Sequence, residues 1–370
     1  MIIYLFVFFV AFCLGLLADY NKKIRWIFLS GIIILISCFF GFRDIGVGTD
    51  TEIYSRQAFD MAKNAISFHS FYIYAQEIDS GYLVLNMIGR LFSPKVWIAL
   101  FLTQFLIITI TLLGIDKFKK YYNIPFSLYI LLHCFIFLHP EMNYMRQFVA
   151  LAFLLLAFYY YIEKKYLVSG VLFSIAYTMH SSALAFLVVP YLDYISKIRE
   201  RKNQILLIVL LLALLVGGMY SFYSVLGLID SYDLINDAYL DRYGRNSNYG
   251  DAANKLGARY IIELLLMYFV YWIAYKKNVF SYNSFMFVIL LHTTYFMLGF
   301  LAFYVGYLHR ISLYPQYIEI IFYSVILGSK KINLFYKAGI FFFVILNWYL
   351  VYIVGNSCQT LPYHSKILGI

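Results

Sequence analysis

Apolar runs separated by short polar connections divide the chain, and the connections alternate in character. The runs cover about 2–17, 25–42, 95–115, 124–138, 144–162, 166–179, 182–195, 204–226, 259–275, 281–303, 310–328 and 334–355. A bilayer crossing needs roughly 20 residues of helix, so the shorter runs require their tyrosine-rich flanks to complete a span. This pattern predicts an all-α, polytopic integral membrane protein of about 12 transmembrane helices, folded as a single membrane domain over 1–370.

The basic residues fall at every second connection. Lys22-Lys23-Arg25, Lys117-Lys119-Lys120, Lys164-Lys165, Lys197-Arg199-Arg201-Lys202, Lys276-Lys277 and Lys330-Lys331-Lys337 hold 17 of the 29 lysines and arginines. Positive residues are retained on the cytoplasmic side, so these connections face inward and both termini lie on the outer side.

Two outer connections are long. The first, 43–94, contains a short apolar stretch at 83–92 that cannot span and must return to the same face as an interfacial or re-entrant helix. The second, 227–258, is rich in Asp, Asn and Tyr. Loops of this size in a compact membrane protein serve more often as lids or substrate platforms than as connectors.

Composition agrees with this reading. The chain is 63% hydrophobic and 13% charged, too little polar surface to coat a soluble globule of 370 residues. Its net charge of +10 is dispersed between apolar runs, which argues for topology signals and against nucleic-acid binding. Cys13, Cys38, Cys134 and Cys358 have no metal-ligand spacing and imply no disulfide framework. Residues 2–17 lack a basic start and a small-residue cleavage site, and are expected to remain as the first helix.

Candidate chemistry gathers at the outer ends of the predicted helices. Arg146 opens one helix, where the backbone dipole also favours an anion, and its planar fork suits phosphate; an arginine snorkelling to lipid headgroups is the plainer reading. His180 closes the next helix as a base, a cation or a cap. Arg310 repeats the Arg146 arrangement, and Glu319 lies about 13 Å deeper along the same helix. An acid at that depth marks a functional site or a pairing with a neighbouring helix. Gly46 and Gly48 lack the third glycine of a dinucleotide loop; they let Arg43, Asp50 and Tyr54 fold back against the membrane face. His133 and His139, six apart on one helix, suit a shared metal poorly, so no metal is expected.

The ordered set of Arg43, Gly48-Thr49-Asp50-Thr51, Tyr54, the Asp79-Ser80-Gly81-Tyr82 element, Met145-Arg146-Gln147, His180-Ser181-Ser182, Arg310 and Pro362-Tyr363 resembles the EpsG family of polysaccharide-assembly membrane proteins. The resemblance spans nearly the whole chain, with Asp79 where the family more usually carries glutamate. It implies a Wzy-type, metal-independent glycosyltransferase of O-antigen, capsule or exopolysaccharide synthesis in the bacterial cytoplasmic membrane. Such an enzyme joins undecaprenyl-pyrophosphate-linked oligosaccharide units and needs no cofactor, because the activated bond is in the substrate.

On that resemblance Arg146, Arg310 and Arg43 are assigned to the pyrophosphate, and His180, Asp50 and Asp79 are the candidates for taking the proton. Tyr54, Tyr82, Gln147 and Tyr363 are assigned to substrate positioning. The bilayer, a chain-length regulator and a flippase are the further partners expected. A flippase or transporter, an O-antigen ligase and a membrane acyltransferase are the alternative classes.

Overall fold

The computed structural model describes residues 1–210, 213, 217, 258–302 and 308–370, apart from the side chains at 53–54 and 258–261. The connection expected at 227–258, all but its last residue, and most of the crossing expected at 204–226 lie outside the described residues. Among the described residues helix is the only regular secondary structure, with no strand. Six helices there are long and apolar enough to cross a membrane: Ile2–Tyr20, Trp97–Phe118, Met145–Ile162, Tyr282–Leu301, Leu308–Gly328 and Leu334–Val354. The expected total of twelve rests on the apolar runs of the sequence, and the side on which the termini lie on the charge pattern.

The chain packs as two compact units, Met1–Leu184 with Ile320–Ile370, and Ala185–Glu319. In the first unit, α1 (Ile2–Tyr20), α2 (Arg25–Gly41), α6 (Trp97–Phe118), α7 (Phe126–Asn143), α8 (Met145–Ile162) and α9 (Tyr166–Met179) form the bundle. Between α2 and α6, where the sequence suggests a loop with one short helix, the backbone makes a π-helical turn at Glu52–Gln57. Three short helices follow, α3 (Ala58–Asn64), α4 (Phe68–Ile78) and α5 (Ser80–Phe92). None can span a bilayer. Phe68, Tyr72, Leu91 and Phe92 are exposed on α4 and α5, as expected of helices lying in a membrane interface.

Ion pairs draw three lysine- and arginine-bearing connections to one end of the bundle. Arg25 meets Asp116 at 3.1 Å, Lys119 meets Asp19 at 3.5 Å, and Lys120 meets Glu163 at 2.7 Å. Asp19 also accepts from the backbone N–H of Phe126 at 2.8 Å and of Ser127 at 3.0 Å. A carboxylate at the end of α1 thereby caps α7, which begins at a proline connection and has no capping side chain of its own. The alternation of basic connections is therefore a physical feature of this unit.

The opposite end is closed by the C-terminal segment. Tyr4 donates to the Thr360 carbonyl at 2.8 Å, Asn143 to the Cys358 carbonyl at 2.9 Å, and Tyr363 to the Phe39 carbonyl at 2.6 Å. His139 stacks between Tyr4 and Tyr352, accepts from the Trp348 indole at 3.0 Å and lies 2.6 Å from the Thr360 hydroxyl. Since the indole can only donate, it fixes the lone pair of His139 on Nε2 and the proton on Nδ1. Pro140 lacks the N–H that would reach the Ile136 carbonyl, and the Tyr352 hydroxyl takes up that acceptor at 3.5 Å.

In the second unit, Tyr282–Leu301 packs against both Ala258–Lys276 and α10 (Val188–Ser196). The expected crossing at 182–195 begins as a 3₁₀ segment, Ser181–Leu187, before α10.

Close helix approach in the first unit depends on glycine. A Cβ on Gly41 would lie 2.7 Å from Cα of Phe101, a backbone atom that cannot move aside. Gly41→Leu is expected to cost about 1–3 kcal/mol by overpacking the α2–α6 contact, read as a lower melting temperature of the detergent-solubilised protein.

Candidate functional site

Asp79 occupies the junction of α4 and α5 at φ of 67° and ψ of 131°, a positive-φ conformation outside the αL well that is costly for any residue but glycine. Gly81, two residues on, lets α5 approach the end of α9. A Cβ there would fall 2.6 Å from the Thr178 hydroxyl and 2.9 Å from the Thr178 carbonyl carbon. Tyr82 is fully buried and points its hydroxyl towards the Met145 sulfur at 3.9 Å. The acid-x-Gly-Tyr element thus seats the carboxylate, permits the contact and anchors it beside the start of α8.

That seating makes Asp79 the hub of the site. Arg146, in the first turn of α8, donates through Nη1 to Oδ2 of Asp79 at 2.6 Å. Nδ1 of His180, the residue that ends α9, lies 3.3 Å from the same oxygen. The three side chains are 14–19% exposed, so the cluster is screened by protein but reachable. A proton on Nδ1 directed at the carboxylate leaves the imidazole lone pair on Nε2, the arrangement in which histidine accepts a proton from a substrate.

Two helix N-termini, those of α5 and α8, converge on the cluster, and their backbone dipoles favour an anion there. An open groove of about 520 Å³ runs along α9 past Leu167, Gly170, Val171, Ser174 and Ile175 and ends at Thr178, next to this cluster. Ser174 and Thr178 turn their hydroxyls onto carbonyls of their own helix, so the groove presents an apolar lining.

The other expected site residues are placed differently. Arg43 is 3% exposed and spends its guanidinium on the protein itself. Nε donates to the Val47 carbonyl at 3.2 Å, Nη1 to the Phe40 carbonyl at 2.9 Å, and Nη2 to the Met142 carbonyl at 2.9 Å. Burial pulls its pKa down to about 10, so it stays charged at neutral pH. In this structure Arg43 is an internal strut, because its donors tie the end of α2 and its own connection to the Met142 carbonyl of α7.

Tyr363 stacks on Phe39 at 4.4 Å, and burial raises its phenol above the ordinary range, keeping the hydroxyl a donor to the Phe39 carbonyl. Asp50 is buried in the same connection, and its charge acts on the Cys358 thiol, which burial pushes up to about 12. Gly48, at φ of 98°, is required beside Asn143 and Thr51, whereas a Cβ on Gly46 would meet open space. Gln147 is buried in the first turn of α8. The Tyr54 side chain lies outside the described residues, and Arg310 is half-buried in the second unit.

Beneath the site, the sequence reading missed a buried pairing. Glu141 receives a hydrogen bond from Gln104 at 2.8 Å and has His133 Nε2 2.8 Å from its other oxygen, all three fully enclosed. Glu141 stands four residues before the α8 start, with one partner two helical turns back and the other on another helix, a pairing that no local pattern in the sequence marks.

An apolar helical bundle that gathers a carboxylate, a guanidinium and an imidazole at one end defines an integral membrane protein with a polar site at the end of its bundle. The chain belongs to the EpsG family, whose family model matches residues 26–365, a family of Wzy-type polymerase-like proteins of polysaccharide biosynthesis. Comparison with curated proteins and with solved structures gave no match.

Arg43→Ala would remove the donors to the Phe40 and Val47 carbonyls, leave Met142 only the long 3.5 Å contact from Thr51, and open a cavity. A loss on the order of 3 kcal/mol is expected, measured by thermal unfolding in detergent. A variant of undiminished stability would show that the guanidinium is not a strut.

Proposed function

We propose that the protein polymerises lipid-linked oligosaccharide repeat units by glycosyl transfer at the outer face of the bacterial cytoplasmic membrane, with a polyprenyl pyrophosphate as leaving group. The observation that carries this reading is the single Asp79 oxygen shared by Arg146 and His180 where α5, α8 and α9 meet. Family membership supports the class of reaction. The outer placement is supported by the basic connections, since the cluster lies at the bundle end opposite Lys119, Lys120 and Glu163.

In the proposed reaction a hydroxyl of one unit attacks the anomeric carbon of another. The new glycosidic C–O bond forms as the bond from that carbon to the pyrophosphate oxygen breaks. The hydroxyl proton passes to Nε2 of His180, and Asp79 holds the ring through Nδ1 and stabilises the imidazolium. Arg146 and the two helix N-termini stabilise the negative charge that grows on the leaving pyrophosphate. Arg310 is a candidate second cation, and Asp50 is the alternative base. The groove on α9 would take hydrocarbon from the lipid carrier. Tyr82 positions the site from beneath, through its burial against α8.

A ligase would share this chemistry and differ in its acceptor, whereas a transporter would draw on charge held at mid-membrane. Single variants in the native strain separate them. His180→Ala is expected to lower polymer formation by about 10²–10⁴-fold, and Arg146→Ala by about 10²–10³-fold, at unchanged membrane levels. Asp79→Asn, which keeps the size of the side chain and removes its charge, should also lose the polymer. Surface polysaccharide run on a gel should then show a single-unit band in place of the ladder. Disappearance of that band as well would indicate transport or ligation, and an intact ladder in all three variants would remove the cluster from the mechanism.

A further inference from the structure

The second unit encloses charge that the proposed glycosyl transfer does not use. Glu319 stands midway along Leu308–Gly328 and His292 midway along Tyr282–Leu301, two helices apolar enough to cross a membrane. Nδ1 of His292 lies 2.7 Å from Oε1 of Glu319, and the Tyr271 hydroxyl donates to the same oxygen. All three residues are fully buried. The two remaining polar atoms, Oε2 of Glu319 and Nε2 of His292, are also buried and have no hydrogen-bond partner among the described residues.

This pattern has a simple proton count. With Nδ1–H directed at Oε1, an ionised Glu319 beside a neutral His292 leaves a net negative charge in the membrane interior, a costly state. One further proton makes the pair neutral, and the only places for it are Oε2 or Nε2. These are the two atoms without a partner. On Oε2 it gives a neutral acid and imidazole; on Nε2 it gives an internal ion pair.

We propose that Glu319 and His292, with Tyr271 as the fixed donor to Oε1, form a membrane-buried proton-binding site that holds one exchangeable proton. Other ionisable groups around it are Tyr268, whose ring meets the imidazole edge-on at 5.4 Å, Tyr295 on the His292 helix, and Glu263, whose charge acts on His292. On the Glu319 helix, Tyr314 and Tyr317 are buried in the same unit. From α10, which packs on the His292 helix, Asp193 and Lys197 are paired with each other at 2.5 Å. The fold holds the proton and alkaline solution removes it, so the stability it supplies is present at low pH and lost as pH rises through the site's titration.

Dicyclohexylcarbodiimide, an apolar reagent that adds to a protonated carboxyl and ends as a stable N-acylurea, tests this on the full-length protein in native membranes. In His292→Gln the proton has only Glu319 to occupy, so mass spectrometry should find that residue modified, with labelling falling about tenfold for each pH unit above the titration point. Wild type should be labelled less at the same pH, because the imidazole shares the proton, and Glu319→Gln should carry no label at this position. As a second measurement, the melting temperature of wild type should drop in alkaline buffer, and Glu319→Gln, shaped like the protonated acid, should abolish that drop. An unlabelled Glu319 in both wild type and His292→Gln, or parallel pH profiles of melting temperature in wild type and Glu319→Gln, would overturn the proposal. So would a labelling that responds to sodium at fixed pH and not to pH itself.

Discussion

A guanidinium enclosed by protein must find acceptors for its N–H groups, and at Arg43 that requirement shapes the whole site end of the first unit. Its donors reach the end of α2, its own connection and the Met142 carbonyl in the last turn of α7. The α7 helix stops at Asn143 and α8 begins at Met145, so the strut holds the break at which Arg146 emerges. Thr51 joins the same network by accepting from Arg43 and donating to the Val47 carbonyl, with Gly48 folded tightly between them. The arginine that faces the candidate substrate site is therefore positioned by one that does not.

Much of the bundle is legible as hydropathy, because lipid and a helical backbone impose the same condition on every span. The basic connections are legible too, and the Lys120–Glu163 and Arg25–Asp116 pairs give that sequence rhythm a physical end of the bundle. The meeting of Arg146 with His180 follows from two consecutive helices running in opposite directions. The part played by Asp79 does not: its place depends on a positive-φ turn and a glycine contact between α5 and α9, distant in sequence. The helices α3 and α4 were equally hidden, since each is too short and too mixed in composition for periodicity to separate it from a loop. A sequence shows Arg43 and Tyr363 as polar side chains but not which carbonyls they contact.

Each compact unit encloses a carboxylate beside an imidazole, Glu141 with His133 and Glu319 with His292. Their settings differ. Glu141 has both oxygens faced by neighbours, with Gln104 completing the set, while Glu319 gathers both of its contacts on one oxygen. A carboxylate contacted on one oxygen alone leaves a position where occupancy can change.

Residues 358–363 are made long after α1, α2 and α7, yet they form hydrogen bonds with the first of these helices and with the ends of the other two. Those elements enter the bilayer long before residues 358–363 leave the ribosome. The site end of the first unit is thus assembled in two stages, with the earlier helices inserted while several of their polar partners are still unsynthesised. During that interval Tyr4, Asn143 and His139 must be kept solvated or shielded by the insertion machinery, and the order of biogenesis becomes part of how this end of the bundle is built.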